Sequence, residues 1–328
     1  MSSLYKVTEI EGKGLGCVAI SDIKKGSLIL NENPQICADI EDGRGSSKWI
    51  KSLLKSFYQM SKTDQLQYLK LHNKFNNSSV GKIIEDFKFK IGKIEQDPEK
   101  AEEILKILGI YSTNIFQGGV CLKGSRFNHS CQPNAAFMKI NGQLQFRAIG
   151  NIKAGKEINI NYLDEFTGFR KRKYRQKILI DGWFFQCSCD LCENDVDIDA
   201  EAFEAYIQEA EKLTVKCQSA CKAGISLGAR YYSLENCKKE IVCYKQLYKV
   251  GREQKIQPYF LWIMLDKGFG AATAGYQFYK ATNLKIDAMT FAKAAEKYGN
   301  ILGNDFVTRG NSFSYKQRYQ DVIDKAGY

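Results

Sequence analysis

Three cysteines fall within six residues at Cys187-Ser188-Cys189-Asp190-Leu191-Cys192, on a polar segment that gives them no apolar face to pack into. Nothing else in the chain restricts its fold as strongly. Dense thiols without a packing role are redox liabilities, whereas soft sulfur ligands at C-x-C-x2-C spacing suit a tetrahedral zinc. A structural zinc takes four ligands, so a fourth is expected from a distant stretch. Cys131, beside His129 in Arg126-Phe127-Asn128-His129-Ser130-Cys131-Gln132-Pro133-Asn134, is the best placed by its motif context. Four thiolates leave no open position for a catalytic water, so such a metal is structural and staples the 183–193 segment to the Asn128-His129 loop. The plain alternative is three thiols with no metal.

Composition narrows the class. Apolar residues make up 44% of 328 and prolines number four, which disfavours disorder. No run approaches 18 apolar residues and the N-terminal stretch lacks a signal peptide's apolar core, so an intracellular location, nucleus and/or cytoplasm, is expected, with no membrane partner. In a reducing compartment eleven cysteines are free thiols and metal ligands rather than disulfides. The net charge of +11 permits an acidic partner, but no long basic tail is present and nucleic acid is not required.

Along the chain, Tyr5–Ile10, Cys17–Ile20 and Ser27–Leu30 read as short strands, with Gly12-Lys13-Gly14-Leu15-Gly16 as the first turn. That turn matches neither a P-loop nor a dinucleotide fingerprint. Residues 46–110 change to helical spacing, and Glu99 to Leu108 is predicted as a helix that begins at Pro98 and ends at Gly109. His72 lies in this insert apart from any other ligand and reads as an ordinary helix-surface or half-buried histidine. Asn141-Gly142 predicts a hairpin between Ala135–Ile140 and Gln143–Ile149. Glu157-Ile158-Asn159-Ile160-Asn161-Tyr162 follows, then a basic helix from Arg170 to Leu179. Its Arg170-Lys171-Arg172-Lys173 run resembles an import signal, although solvated helix charge is the simpler reading. Ala200–Leu213, Ile225–Tyr232, Glu235–Tyr248, Tyr259–Tyr279 and Ala288–Leu302 read as helices at roughly repeat-like spacing. Cys217, Cys221, Cys237 and Cys243 read as helix thiols. His129 with Cys131 also suggests a cysteine hydrolase, but only two histidines are present and Cys131 serves better as a ligand.

Taken in order, Gly12–Gly16, Arg126–Asn134, Gly155-Lys156-Glu157-Ile158 through Tyr162, and Phe185-x-Cys187-x-Cys189-x2-Cys192 resemble the motifs of SET-domain protein lysine methyltransferases. The helical insert makes the SET-and-MYND (SMYD) branch the most similar, with one departure: residues 41–120 hold no cysteine and a single histidine, so the MYND zinc finger is missing. The resemblance implies an α+β fold. A mostly-β SET domain over 1–193 would comprise N-terminal SET (4–40), helical insert (41–112), SET core (113–165) and zinc-binding post-SET segment (166–193). An all-α, tetratricopeptide-like C-terminal domain would cover 194–328. It also implies S-adenosylmethionine as methyl donor, and a knot threading around Asn128-His129.

By the same resemblance Lys13, Gly14 and Leu15 would lie along the methionine part of the cofactor. Asn114, Asn128 and His129 would hydrogen-bond it, Phe185 would stack on adenine, and Tyr162 would be both catalytic and cofactor-contacting. Cys131, Cys187, Cys189 and Cys192 would hold one structural zinc. The expected function is transfer of a methyl group to a lysine of a histone or non-histone protein, by a monomer. The competing reading is a catalytically weak SET-fold scaffold that binds protein partners through its helical C-terminal domain.

Overall fold

A computed structural model describes residues 3–38, 45–76, 81–116, 119–140, 142–163, 167, 170–193 and 234–253, with a few short stretches between 208 and 294. The chain opens with a hairpin of β1 (Tyr5–Ile10) and β2 (Gly14–Ala19), whose register places Ile10 opposite Gly14. Gly12 and Gly14 both sit at φ 71°, a left-handed conformation that costs glycine little and other residues more. β3 (Leu28–Glu32) and β4 (Ile36–Cys37) follow, and then the helical insert. The insert contains α1 (Ser47–Tyr58), α2 (Lys62–Tyr68), α3 (Gly81–Ile91) and α4 (Pro98–Asn114).

The insert folds because its apolar stripe is buried on one side. Trp49, Ile50, Leu53 and Phe57 from α1 meet Ile107, Leu108 and Tyr111 from α4, and the Tyr68 hydroxyl donates to the Ile107 carbonyl at 2.8 Å. Each such buried side chain contributes about 1.5–3 kcal/mol relative to exposure. Here one expectation needs correction. Gly109 does not end α4, which continues to Asn114. A Cβ at Gly109 would come within 2.0 Å of Asn73 Oδ1 and 2.8 Å of the Phe75 ring. This glycine therefore allows a close approach between segments rather than a C-cap.

Beyond α4 come β5 (Ile115–Phe116), β6 (Gly119–Val120), β7 (Asn128–His129), β8 (Ala135–Ile140), β9 (Gln143–Ala148) and β10 (Asn159–Ile160). β8 and β9 form the expected hairpin, with Ile140 opposite Gln143, and β3 joins β9 to make a three-stranded sheet. β4, β6 and β5 make another. β7 pairs with β10 in parallel, Asn128 opposite Asn159 and Ile160 opposite His129. This pairing draws two sequence-distant motifs together over a core of Cys17, Phe127, Phe146, Ile158 and Ile160.

The basic helix is α5 (Arg172–Trp183), two residues later at its start and four later at its end than its charge pattern suggests. It stops at Phe184, which adopts a left-handed conformation with φ 60°. A non-glycine residue pays about 1–2 kcal/mol there. Phe184 packs against the insert core, while the next residue, Phe185, packs beside the cysteines. Leu234–Glu253 is helical, in agreement with the Glu235–Tyr248 expectation. The expected helices at 200–213, 225–232, 259–279 and 288–302 lie wholly or largely outside the described residues, as do Cys217 and Cys221. Among the described residues, no helix is long and apolar enough to cross a membrane.

Candidate active site and cysteine cluster

All eight residues expected to contact a cofactor line one cleft of about 500 Å³, within the usual size for small-molecule sites. Lys13, Gly14 and Leu15 come from the β1–β2 turn. Asn114 comes from the end of α4, Asn128 and His129 from β7, Tyr162 from just after β10, and Phe185 from just after α5. The cleft is thus built from five separated parts of the chain.

Several of these side chains are already committed to protein partners. Asn128 Nδ2 donates to Glu157 Oε1 at 2.9 Å and to the Leu15 carbonyl at 3.4 Å. The other Glu157 oxygen takes a 2.8 Å ion pair from Lys13 Nζ. One carboxylate therefore clamps the glycine-rich turn to β7. Gly16 is part of this clamp, since a Cβ there would lie 2.6 Å from Asn128 Nδ2 and 3.0 Å from Glu157 Oε1. Asn114 Nδ2 donates to the carbonyls of His72 and Ile110, both at 2.8 Å. Its Oδ1 accepts from no described donor and remains available to a ligand's N–H.

Tyr162 is anchored at both ends to one short segment. Its backbone N–H donates to His129 Nδ1 at 3.0 Å, and its hydroxyl donates to the Phe127 carbonyl at 2.8 Å. Burial raises the Tyr162 phenol above its ordinary pKa, so it stays protonated and neutral. Burial also pushes the His129 imidazole down, to about 3. The rings of His129, Trp183 and Phe185 surround Tyr162 at centroid distances of 5.4, 5.5 and 6.4 Å.

Below this aromatic wall, Cys131, Cys187, Cys189 and Cys192 bring their sulfurs within 4.8 Å of one another. Zn–S bonds of about 2.3 Å in a tetrahedron separate sulfurs by about 3.8 Å, so the donor set fits that metal. Three of the four residues are buried and Cys189 is partly exposed. Cys189 titrates well below the ordinary thiol range, because the thiols of Cys131, Cys187 and Cys192 hydrogen-bond its sulfur. Thiolate is the form that binds metal. α5 supports the cluster twice. Gln176 brackets Cys187, its Nε2 donating to the Cys187 carbonyl at 2.6 Å and its Oε1 accepting the Cys187 N–H at 2.8 Å. Arg175, fully buried, directs Nη2 at Cys192 Sγ, 3.9 Å away.

Residues 14–163 match the protein family described as SET domain. This stretch is a SET domain. A SET domain-containing protein of Acanthamoeba polyphaga mimivirus is 25% identical over 223 residues, which cover 62% of this chain and 80% of that protein. The histone-lysine N-methyltransferase set5 of Schizosaccharomyces pombe is 28% identical over 193 residues, covering 58% of this chain and 51% of set5. The protein-lysine N-trimethyltransferase SMYD5 of Danio rerio is 42% identical over 86 residues, covering 26% and 21%. The chain thus spans about half the length of set5 and about a fifth of SMYD5. Among solved structures, Rubisco LSMT bound to sinefungin and monomethyllysine aligns over 98% of this chain and 88% of its own, at 14% identity and a TM-score of 0.35.

Sequence reasoning missed five contributors to the site. Glu157 stood in the quoted SET motif without a role, because its partners lie 29 and 144 residues away. Trp183 lines the cleft two residues before Phe185, and His72, read as an ordinary helix-surface or half-buried histidine, lines it too. Arg175 and Gln176 looked like ordinary members of a basic helix.

Proposed function

We propose that this SET domain is the catalytic unit of an S-adenosylmethionine-dependent protein-lysine N-methyltransferase. The observation that carries this reading is the convergence of the glycine-rich turn, Asn114, Asn128 and Tyr162 on one cleft walled by aromatic rings. S-adenosylmethionine would supply a methyl group on a positively charged sulfur. Gly14 and Leu15 would run beside its methionine part, and the Asn114 Oδ1 would accept from its ammonium. Phe185 would lie against adenine.

The residues fit the chemistry of an in-line displacement. No acid or base need act on a leaving group, so alignment is the main demand, and holding reactants in line can supply roughly 7–11 kcal/mol. A substrate lysine has a reference pKa of about 10.4 and must release its proton to solvent before its Nζ forms the new N–C bond, while the methyl's bond to the donor sulfur breaks and leaves a neutral thioether. Apolar walls formed by Tyr162, Trp183 and Phe185 disfavour the ammonium form. Tyr162 orients the amine and does not compete as a nucleophile, because its phenol is neutral and its proton already engages Phe127. The four cysteines would hold a structural zinc that fixes the segment carrying Phe185. Residues 194–328 would form a helical domain that filters protein substrates.

The test is transfer of tritiated methyl from S-adenosylmethionine to protein lysines by the zinc-loaded chain. Labelled lysine is expected. A folded preparation that neither binds S-adenosylmethionine in calorimetry nor labels any protein in an extract ends this reading, and cofactor binding without transfer favours the scaffold.

A further inference from the structure

We propose that His129 is a positioning residue that ties the cysteine cluster to Tyr162, its ring serving these two partners rather than the cofactor. The inference rests on the reading of Tyr162 as the catalytic tyrosine. Both ring nitrogens are spent within the protein. Nδ1 accepts the Tyr162 N–H at 3.0 Å and must therefore be bare. A neutral imidazole then carries its proton on Nε2, and Nε2 lies 3.4 Å from Cys131 Sγ. One tautomer of one charge state satisfies both contacts. His129 is 4% exposed, so water offers neither nitrogen a substitute partner.

The backbone around the ring tightens the link. Ser130 N–H donates to the Ile160 carbonyl at 2.9 Å, and His129 stands opposite Ile160 in the parallel β7–β10 pair. A shift of the Cys131 sulfur therefore moves the ring, and the ring moves the Tyr162 nitrogen. The Tyr162 side chain is held at its other end by Phe127, the residue immediately before β7. Cluster and phenol thus share one three-residue support, Phe127 to His129. Misplacement by about 1 Å can cost about 100-fold in rate, so this coupling is large enough to matter. Hydrogen bonds from a second layer are also the usual means of orienting metal-bound ligands.

Two measurements test the assignment. The chain has only two histidines, so imidazole nitrogen NMR of the full chain is simple, and His72→Asn assigns the signals. His129 is expected as the Nε2–H tautomer with and without zinc, and an Nδ1–H tautomer overturns the proposal. The second measurement separates the two contacts. Asparagine places its amide oxygen near the position of Nδ1, whereas glutamine reaches the position of Nε2. In cobalt-substituted protein, His129→Asn is expected to shift the sulfur-to-cobalt charge-transfer band and to lower kcat less than His129→Gln does. His129→Gln is expected to leave the band in place and to lower kcat by about tenfold or more. Both readouts moving together in both variants, as general loss of the fold would cause, or neither moving, overturns the coupling. Failure of the methyltransferase reading would appear separately, as absence of label transfer by the parent chain with the tautomer intact.

Discussion

Tyr162 donates its hydroxyl proton to the Phe127 carbonyl at 2.8 Å, which leaves the lone pairs of the phenol oxygen unclaimed by any described donor. Such an oxygen can accept from a lysine amine or from a polarised methyl group, but it cannot act as an acid toward either. Tyr162→Phe removes this acceptor and retains the ring packing with Trp183 and Phe185. Methyl transfer is expected to fall by about 100-fold or more, with S-adenosylmethionine affinity within about threefold of the parent. Single-turnover kinetics beside calorimetric titration would check it, and full activity in the variant would remove Tyr162 from its role.

Cys189 is the thiol most readily ionised in the cluster, held so by donation from Cys131, Cys187 and Cys192. Serine keeps the size but is a much poorer ligand for zinc. Cys189→Ser is expected to lose bound zinc, measured as metal per chain, and to loosen the segment after α5, read as faster proteolysis near residues 184–193. Structural zinc contributes folding free energy directly, so thermal stability should fall as well. A normal zinc content in this variant would sink the four-cysteine assignment.

Glu157 receives Lys13 through one oxygen and Asn128 through the other. Glu157→Gln keeps the shape and one acceptor, removes the charge, and turns an N–H₂ group toward Lys13 or Asn128. Charge-assisted bonds of this kind are worth about 1.5–3 kcal/mol, and Lys13 is partly solvated, so the lower end applies. Cofactor affinity is expected to weaken by roughly tenfold, while the zinc content stays unchanged. Unaltered affinity would show that the clamp does not position the glycine-rich turn.

Gly109 lies in the interior of a helix, where alanine is ordinarily better by about 1 kcal/mol. Its surroundings reverse the sign. Asn73 Oδ1 accepts the Phe75 N–H at 3.0 Å, and an added methyl group would force this turn away from α4. Gly109→Ala is expected to destabilise the chain by about 1–3 kcal/mol in denaturant titration. A stabilised variant would mean that the 72–76 turn moves aside at little cost.

Much of the site was legible before any coordinates. Paired signals in the local sequence marked the β8–β9 hairpin, because Asn141-Gly142 supplies the turn that such strands require. The cysteine spacing anticipated a common cluster with Cys131, since three adjacent soft ligands need a fourth. Gly109 was misread for a physical reason: a glycine that ends a helix and one that admits a neighbour look alike in sequence. The end of α5 was missed because Phe184 takes a left-handed conformation without being glycine, held by packing that no local pattern reveals.

The sequence by itself determined which kinds of side chain meet: two asparagines, a histidine, a tyrosine and four cysteines, in an order that belongs to a SET domain. Only the tertiary structure decided which atoms of those side chains remain available. Asn128 spends its amide on Glu157, Asn114 spends its own on two carbonyls, and His129 divides its nitrogens between Tyr162 and Cys131. Residue type sets how many hydrogen bonds a group can make, but the partners that consume them arrive from up to 113 positions away, as with the Leu15 carbonyl that the Asn128 amide also reaches. That allocation depends on how strands and helices pack, which local sequence does not specify.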